Sequence, residues 1–192
     1  MLMRRKIMEK IEIPLEEWDI VHPGLAVYLI STISKEGILN IAPYGMVMPI
    51  SYRPLIYALS STRDRDTYHN IKATEEFTLN VVSCDLLHQI NVTATKFPPE
   101  IDEFKEAKLT SIPGIRLNVP RIKECKEHIE CKLKKIVDIE ERSIIFGDVV
   151  SLSLDQNLRL KNFSKQKKML NPIFYCHGSY FKLGKYVGDR KK

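Results

Sequence analysis

Apolar and β-branched residues gather along this chain in short runs separated by turn chemistry, and that spacing predicts strands. Residues 25–33, reading Leu-Ala-Val-Tyr-Leu-Ile-Ser-Thr-Ile, form the first such run. Lys35, Glu36 and Gly37 supply a turn before an extended run over 38–51. Pro43 and Gly45 inside that run predict a bulge, or backbone open to a ligand, rather than an uninterrupted central strand. Tyr52, Arg53 and Pro54 make the next turn, and further strands are predicted at 55–61, 77–82, 128–137, 144–152 and 172–183. Helices fit residues 66–74, with Asp66 as N-cap, then 85–93, ended by Pro98 and Pro99, and 100–107. Strands joined mainly by turns, with helices between only a few, predict a mainly β barrel rather than a doubly wound sheet.

No repeat, low-complexity stretch or Gly/Ser/Pro linker divides the 192 residues, so one domain over residues 1–192 is expected, with its core at about 22–187. The balance of 44% hydrophobic and 28% charged residues is that of a globular chain, and no segment approaches the roughly 20 apolar residues needed to span a bilayer. The opening ten residues mix charges of both signs around short apolar stretches, unlike a secretory signal, which predicts a cytoplasmic protein. Cys84, Cys125, Cys131 and Cys176 are then expected as reduced thiols. The net charge of +6 and the basic run from Arg159 to Lys168 invite a nucleic-acid reading, but an anionic cofactor or simple solubility accounts for them equally well.

The stretch from Ser60 to Asn70 is richest in candidate chemistry. Arg63 and Arg65 offer charge, Ser60, Ser61 and Thr67 offer hydroxyls, and the start of the following helix offers free amides. A phosphate wants those three donor types together. A polar loop whose arginines pair with Asp64 and Asp66 explains the same residues, and the two readings stand level. A second stretch, Asn40 to Met46, combines an amide, a proline, a glycine and Tyr44, a segment able to meet a flat heterocycle through backbone groups. Metal sites find less support. Cys125, His128 and Cys131 lie on a predicted strand whose alternation sends the two thiols to one face and the imidazole to the other. Cys84 and His88 share a predicted helical face but lack further ligands. No dinucleotide fingerprint, P-loop or Ser/His/Asp set is present.

In order and spacing, Asn40 to Pro43, Ser60 to Asn70, Glu76 to Val81, Phe146 to Val149 and Tyr175 to Tyr180 together resemble the flavin reductase-like family of FMN-binding split barrels, in particular archaeal proteins of the ferric reductase and flavoredoxin type. The resemblance implies an antiparallel Greek-key split barrel, a homodimer, and one FMN per subunit near the subunit interface. By position it implies that Asn40 and the backbone of Ala42, Pro43 and Tyr44 meet the isoalloxazine ring, that Thr67 and the Ser60 to Arg65 loop hold the phosphate, and that Tyr180 lies near the flavin. Glu103 stands where a lysine is expected and Arg142 roughly where a histidine is, both on the side of the electron partners. Lys96, Phe97 and His177 are therefore the candidates for the donor side, His177 as the catalytic residue. The leading function is an oxidoreductase taking electrons from NAD(P)H through FMN to a small acceptor such as free flavin, a ferric chelate or oxygen. An FMN-carrying electron-transfer protein, served by a protein or small-molecule donor, is the alternative. A basic nucleic-acid-binding barrel without cofactor comes third.

Overall fold

The computed structural model describes residues 10–188, so residues 1–9, most of the charged opening segment, lie outside it. A 3-10 helix (Leu15–Val21) leads into β1 (Leu25–Ala26), β2 (Tyr28–Ile33), β3 (Leu39–Tyr44), β4 (Val47–Tyr52) and β5 (Leu55–Thr62). Then come α1 (Asp66–Thr74), β6 (Glu76–Val81), a 3-10 turn (Cys84–Leu86) running into α2 (Leu87–Thr93), and α3 (Glu103–Glu106). The short β7 (Ser111–Ile112) and β8 (Arg121–Ile122) precede two long strands, β9 (Glu127–Ile139) and β10 (Arg142–Leu154). A 3-10 turn (Gln156–Leu158), α4 (Phe163–Leu170), β11 (Ile173–Cys176) and β12 (Ser179–Lys182) complete the order.

Seven strands form one antiparallel sheet in the order β3-β2-β6-β9-β10-β5-β4. β3 and β4 are consecutive in sequence yet lie at opposite edges, so the chain crosses from edge to edge through Gly45 and Met46 alone. So short a step is possible only where the sheet curls until its edges approach, which makes the architecture the expected split barrel. At this seam Ser60 N donates to the Met46 carbonyl at 3.0 Å. A Cβ on Gly45 would lie 3.1 Å from Leu25 Cβ, so only glycine makes the crossing without displacing β1.

β2 is buried on both faces. Leu29 packs with Ile41, Val82, Ile90 and Phe104, whereas its neighbour Ile30 packs with Leu59, Phe77, Leu79 and Ile145. A strand covered on both sides has no polar face, which is why residues 25–33 read as a nearly continuous apolar run. α2 and α3 supply Ile90 and Phe104 to one core, and α1 supplies Tyr68 and Ile71 to the other.

Several expectations are corrected. The run 38–51 is two strands, because Gly45 and Met46 leave the sheet at one edge and re-enter it at the other. Residues 172–183 form a hairpin rather than one strand, turning at His177 (φ 45°) and Gly178 (φ 76°). The run 25–33 divides at Val27, where the chain passes from β11 on one side to β3 and β6 on the other. Arg65, not Asp66, is the N-cap of α1. Cys125 precedes β9 and packs in the first core while Cys131 packs in the second, so the two thiols do not share a face. The basic run 159–168 enters α4, capped by Asn162 Oδ1, which accepts from Lys165 N at 2.9 Å.

Candidate cofactor groove at the barrel seam

A cavity of ≈ 280 Å³ opens where the sheet edges approach, and a smaller one adjoins it through the shared walls of Ala42, Arg65 and Thr93. The edge of β3 forms one wall. Ile41 N points away from β2, since it donates to Glu103 Oε2 at 2.6 Å. Strand alternation turns Pro43 the same way, and proline has no N–H to leave unpaired. The free edge therefore presents the Ile41 and Pro43 carbonyls as acceptors, and Pro43 is explained as an edge residue rather than a bulge.

The end of β5 and the start of α1 form the opposite wall. α1 begins without any side-chain cap, so its first-turn amides keep their donor capacity toward the groove. Arg65 at that N-cap makes no side-chain hydrogen bond or ion pair among the described residues. Lys96, by contrast, is tied to Asp64 at 3.0 Å. The Thr62 hydroxyl and Lys96 hold the Asp64 carboxyl down at about 2. Arg142 reaches across from β10, donating from Nε to Ser60 Oγ at 2.7 Å and from Nη2 to the Ser60 carbonyl at 3.2 Å. It forms no ion pair among the described residues, so its charge too remains available to the groove.

Behind these walls runs a buried polar network. Asn40 Oδ1 accepts from Thr32 Oγ1 at 3.0 Å and Thr67 Oγ1 at 3.1 Å, and Asn40 Nδ2 donates to Glu103 Oε2 at 2.7 Å. Asn70 Nδ2 donates to Thr32 Oγ1 at 3.1 Å. Tyr44 Oη and Ser61 Oγ are hydrogen-bonded at 2.8 Å, and burial pushes the Tyr44 phenol up, so it stays protonated at neutral pH. Burial also raises the Glu103 carboxyl to about 7, aided by Asp66 and Asp102 and opposed by the Ile41 amide and Arg65.

The fold thus brings together Asn40, Ala42, Pro43, Tyr44, Ser60 and Ser61 with Arg65, Thr67 and Lys96. Ser61 and Thr67 are 1% exposed and serve the network more than any ligand. Three of the expected residues stand apart. Arg63 turns to the β9–β10 connection, donating to the carbonyls of Glu140 at 2.6 Å and Arg142 at 3.2 Å. His177 is hydrogen-bonded to Asp19 of the first 3-10 helix, and Tyr180 packs against Tyr175 and the first core. Arg142, Thr93, Thr95 and Glu103 line the groove without having been read from sequence as its ligands. Thr93, Thr95 and Lys96 just before Pro98 were the available signal: hydroxyls and a cation where a helix must end. Cys84 Sγ donates to the Pro172 carbonyl at 3.7 Å, and among the described residues no three His, Cys, Asp or Glu side chains gather as a metal site.

Fold and groove define a split-barrel protein with a polar, charge-lined groove at its seam. The chain belongs to the flavin reductase-like family, whose model, the flavin reductase like domain, matches residues 24–184. Its function accordingly lies in flavin-related redox chemistry. A protein of Aquifex aeolicus is 36% identical over 157 residues, covering 79% of this chain and 80% of that one. Nitrilotriacetate monooxygenase component B from Bacillus cereus superposes with a TM-score of 0.83 at 26% identity, over 94% of this chain and 98% of the other. Flavoredoxin of Desulfovibrio vulgaris shares the fold with a TM-score of 0.82 at 16% identity, over 95% and 97% of the two chains. No helix among the described residues is long and apolar enough to cross a membrane.

Proposed function

We propose that the seam groove holds FMN and that the protein passes electrons from NAD(P)H through it to a small acceptor such as free flavin, a ferric chelate or oxygen. The observation that supports this most is the Arg65 guanidinium, without a hydrogen bond or ion pair among the described residues, at the uncapped start of α1, in one groove with the free carbonyls of the β3 edge. A terminal phosphate asks for cationic and N–H donors, and a heterocycle with a ring N–H asks for acceptors. Both are present, so the residues fit the group. Arg65, Arg142 and the first-turn amides of α1 would hold the phosphate. Asn40 and the backbone of Ala42, Pro43 and Tyr44 would meet the ring, braced by Ser61 and Thr67. FMN supplies the hydride- and electron-accepting chemistry when bound. The chain's own part is to fix orientation through the carbonyls of β3, to offset the phosphate charge, and to keep Tyr44 and Asn40 from rotating. Because His177 is held outside the groove, Lys96 and Phe97 are the proposed donor-side residues.

One observation favours the electron-carrier reading instead. The neighbouring cavity of ≈ 560 Å³ is walled by Glu36, Asp66 and Glu100, an acidic surround that repels the phosphates of a dinucleotide. Anaerobic stopped-flow with NADH and NADPH separates the two. Bleaching of the flavin band at a rate that saturates with donor supports the reductase. Bleaching by a reduced ferredoxin alone leaves the carrier. A protein that neither purifies yellow nor takes up added FMN refutes both. For the homodimer, the proposed contact is edge strand β4, whose Met48, Ile50 and Tyr52 side chains are exposed. A 22.3 kDa species in sedimentation at micromolar concentration would argue against it.

A further inference from the structure

Glu103 is 5% exposed, a degree of burial that a carboxyl bears only with hydrogen-bond partners or a proton of its own. Its two oxygens are used unequally. Oε2 accepts from both Asn40 Nδ2 and Ile41 N, whereas Oε1 makes no hydrogen bond among the described residues. The side chain also lines the groove, beside Arg65 and Thr67. A proton on Oε1 therefore leaves both bonds to Oε2 intact. The carboxamide that Glu103 holds is fixed from its other end by Thr32 and Thr67, so a rotated Asn40 would set its NH₂ against two donors and its oxygen against a carboxylate.

We propose that Glu103 is a positioning and proton-holding residue of the groove: Oε2 fixes Asn40 and β3 in either protonation state, while Oε1 gains or releases one proton at the groove wall and so ties anion affinity to pH. The inference rests on the reading that the groove takes FMN. The charged groups around it are Asp102 at the cap of α3, Asp66 in the first turn of α1, and Arg65 before it; Asp64 and Lys96 on the far wall neutralise one another. Burial and the two aspartates favour the neutral acid, the Ile41 amide and Arg65 favour the anion, and the balance falls near neutrality. Ionisation breaks the Oε1–H bond, passes the proton to water and leaves a negative charge beside a bound phosphate. FMN then binds the protonated form more tightly, and its affinity falls as pH rises through the carboxyl's titration. The FMN phosphate loses its second proton near pH ~6, so a fall above pH 7 belongs to the protein.

The test is FMN affinity by flavin-fluorescence quenching between pH 7 and 9, in the wild type and in Glu103→Gln, whose single carbonyl oxygen can accept both bonds but cannot titrate. If FMN raises the carboxyl's pKa by about one unit, wild-type Kd rises about fivefold over this range, and the glutamine variant stays nearly flat. Carbon-13 NMR of glutamate-labelled, ligand-free wild type supplies a readout independent of the cofactor: one carboxyl titrating near neutrality. Equal pH dependence in the two proteins, or a wild-type spectrum whose glutamates all titrate in the ordinary range while FMN binds normally, overturns the proposal alone. Failure of both proteins to bind FMN at any pH overturns the groove reading and takes the proposal with it.

Discussion

Arg63 and Arg65 are two residues apart and indistinguishable by type, yet the structure gives them opposite work. Arg65→Ala removes a guanidinium that makes no hydrogen bond or ion pair among the described residues and stands at the uncapped start of α1. A charged hydrogen bond to phosphate contributes about 1.5–3 kcal/mol, and because Arg65 is exposed the lower end applies. The expected loss is about tenfold to thirtyfold in FMN affinity. Riboflavin, lacking the phosphate, should bind the variant as it binds the wild type. Arg63→Ala instead removes the two donors that tie the β5–α1 turn to the carbonyls of Glu140 and Arg142. Each such neutral-acceptor bond contributes about 0.5–1.5 kcal/mol, so losing both should lower the Tm by about 2–12 °C with FMN affinity unchanged. Isothermal titration of both variants with FMN and riboflavin, paired with thermal unfolding, reads all of these quantities. Weakening of FMN by Arg63→Ala beyond that by Arg65→Ala would refute the assignment, as would equal weakening of riboflavin by Arg65→Ala.

Three further outcomes follow from the packing and the buried acid. The Glu103 carboxyl is raised by burial to about 7 in the fold, so its contribution is fully present below about 4.5 and lost as pH rises through 7, a swing of about 3 kcal/mol. Urea denaturation should therefore show Glu103→Gln gaining on the wild type by that amount between pH 4 and 8, and a constant difference would contradict the assignment. Gly147→Ala should cost about 1–3 kcal/mol in the same assay, because its Cβ would sit 2.4 Å from Phe77 Cζ and 2.9 Å from Cys131 Cβ; an undisturbed Cm would mean that the β9–β10 bulge relaxes freely. Thr78→Val removes a buried hydroxyl that has no hydrogen-bond partner among the described residues and should be neutral or stabilising by up to about 1 kcal/mol, whereas clear destabilisation would contradict this reading.

The sequence by itself determined that the chain is mainly β and of the barrel class, since β-branched runs bounded by turn residues specify a pleated chain, though not where each run divides. It also marked the Ser60 to Asn70 stretch as a candidate for anion binding, because hydroxyls and arginines before a helix are a local pattern. What it left open was set by contacts between residues distant in sequence. Whether 38–51 was one strand or two depended on β3 and β4 taking opposite edges, a decision made by the curl of the whole sheet. Whether Arg63 or Arg65 faced the groove depended on the β9–β10 connection, some 77 residues away, offering its carbonyls to one of them. Arg142 and Glu103 entered the site from β10 and α3 for the same reason. Local pattern fixes backbone state, because φ and ψ respond to adjacent residues. The partner a side chain finds is fixed only when the barrel closes and brings strand edges from across the chain to one seam.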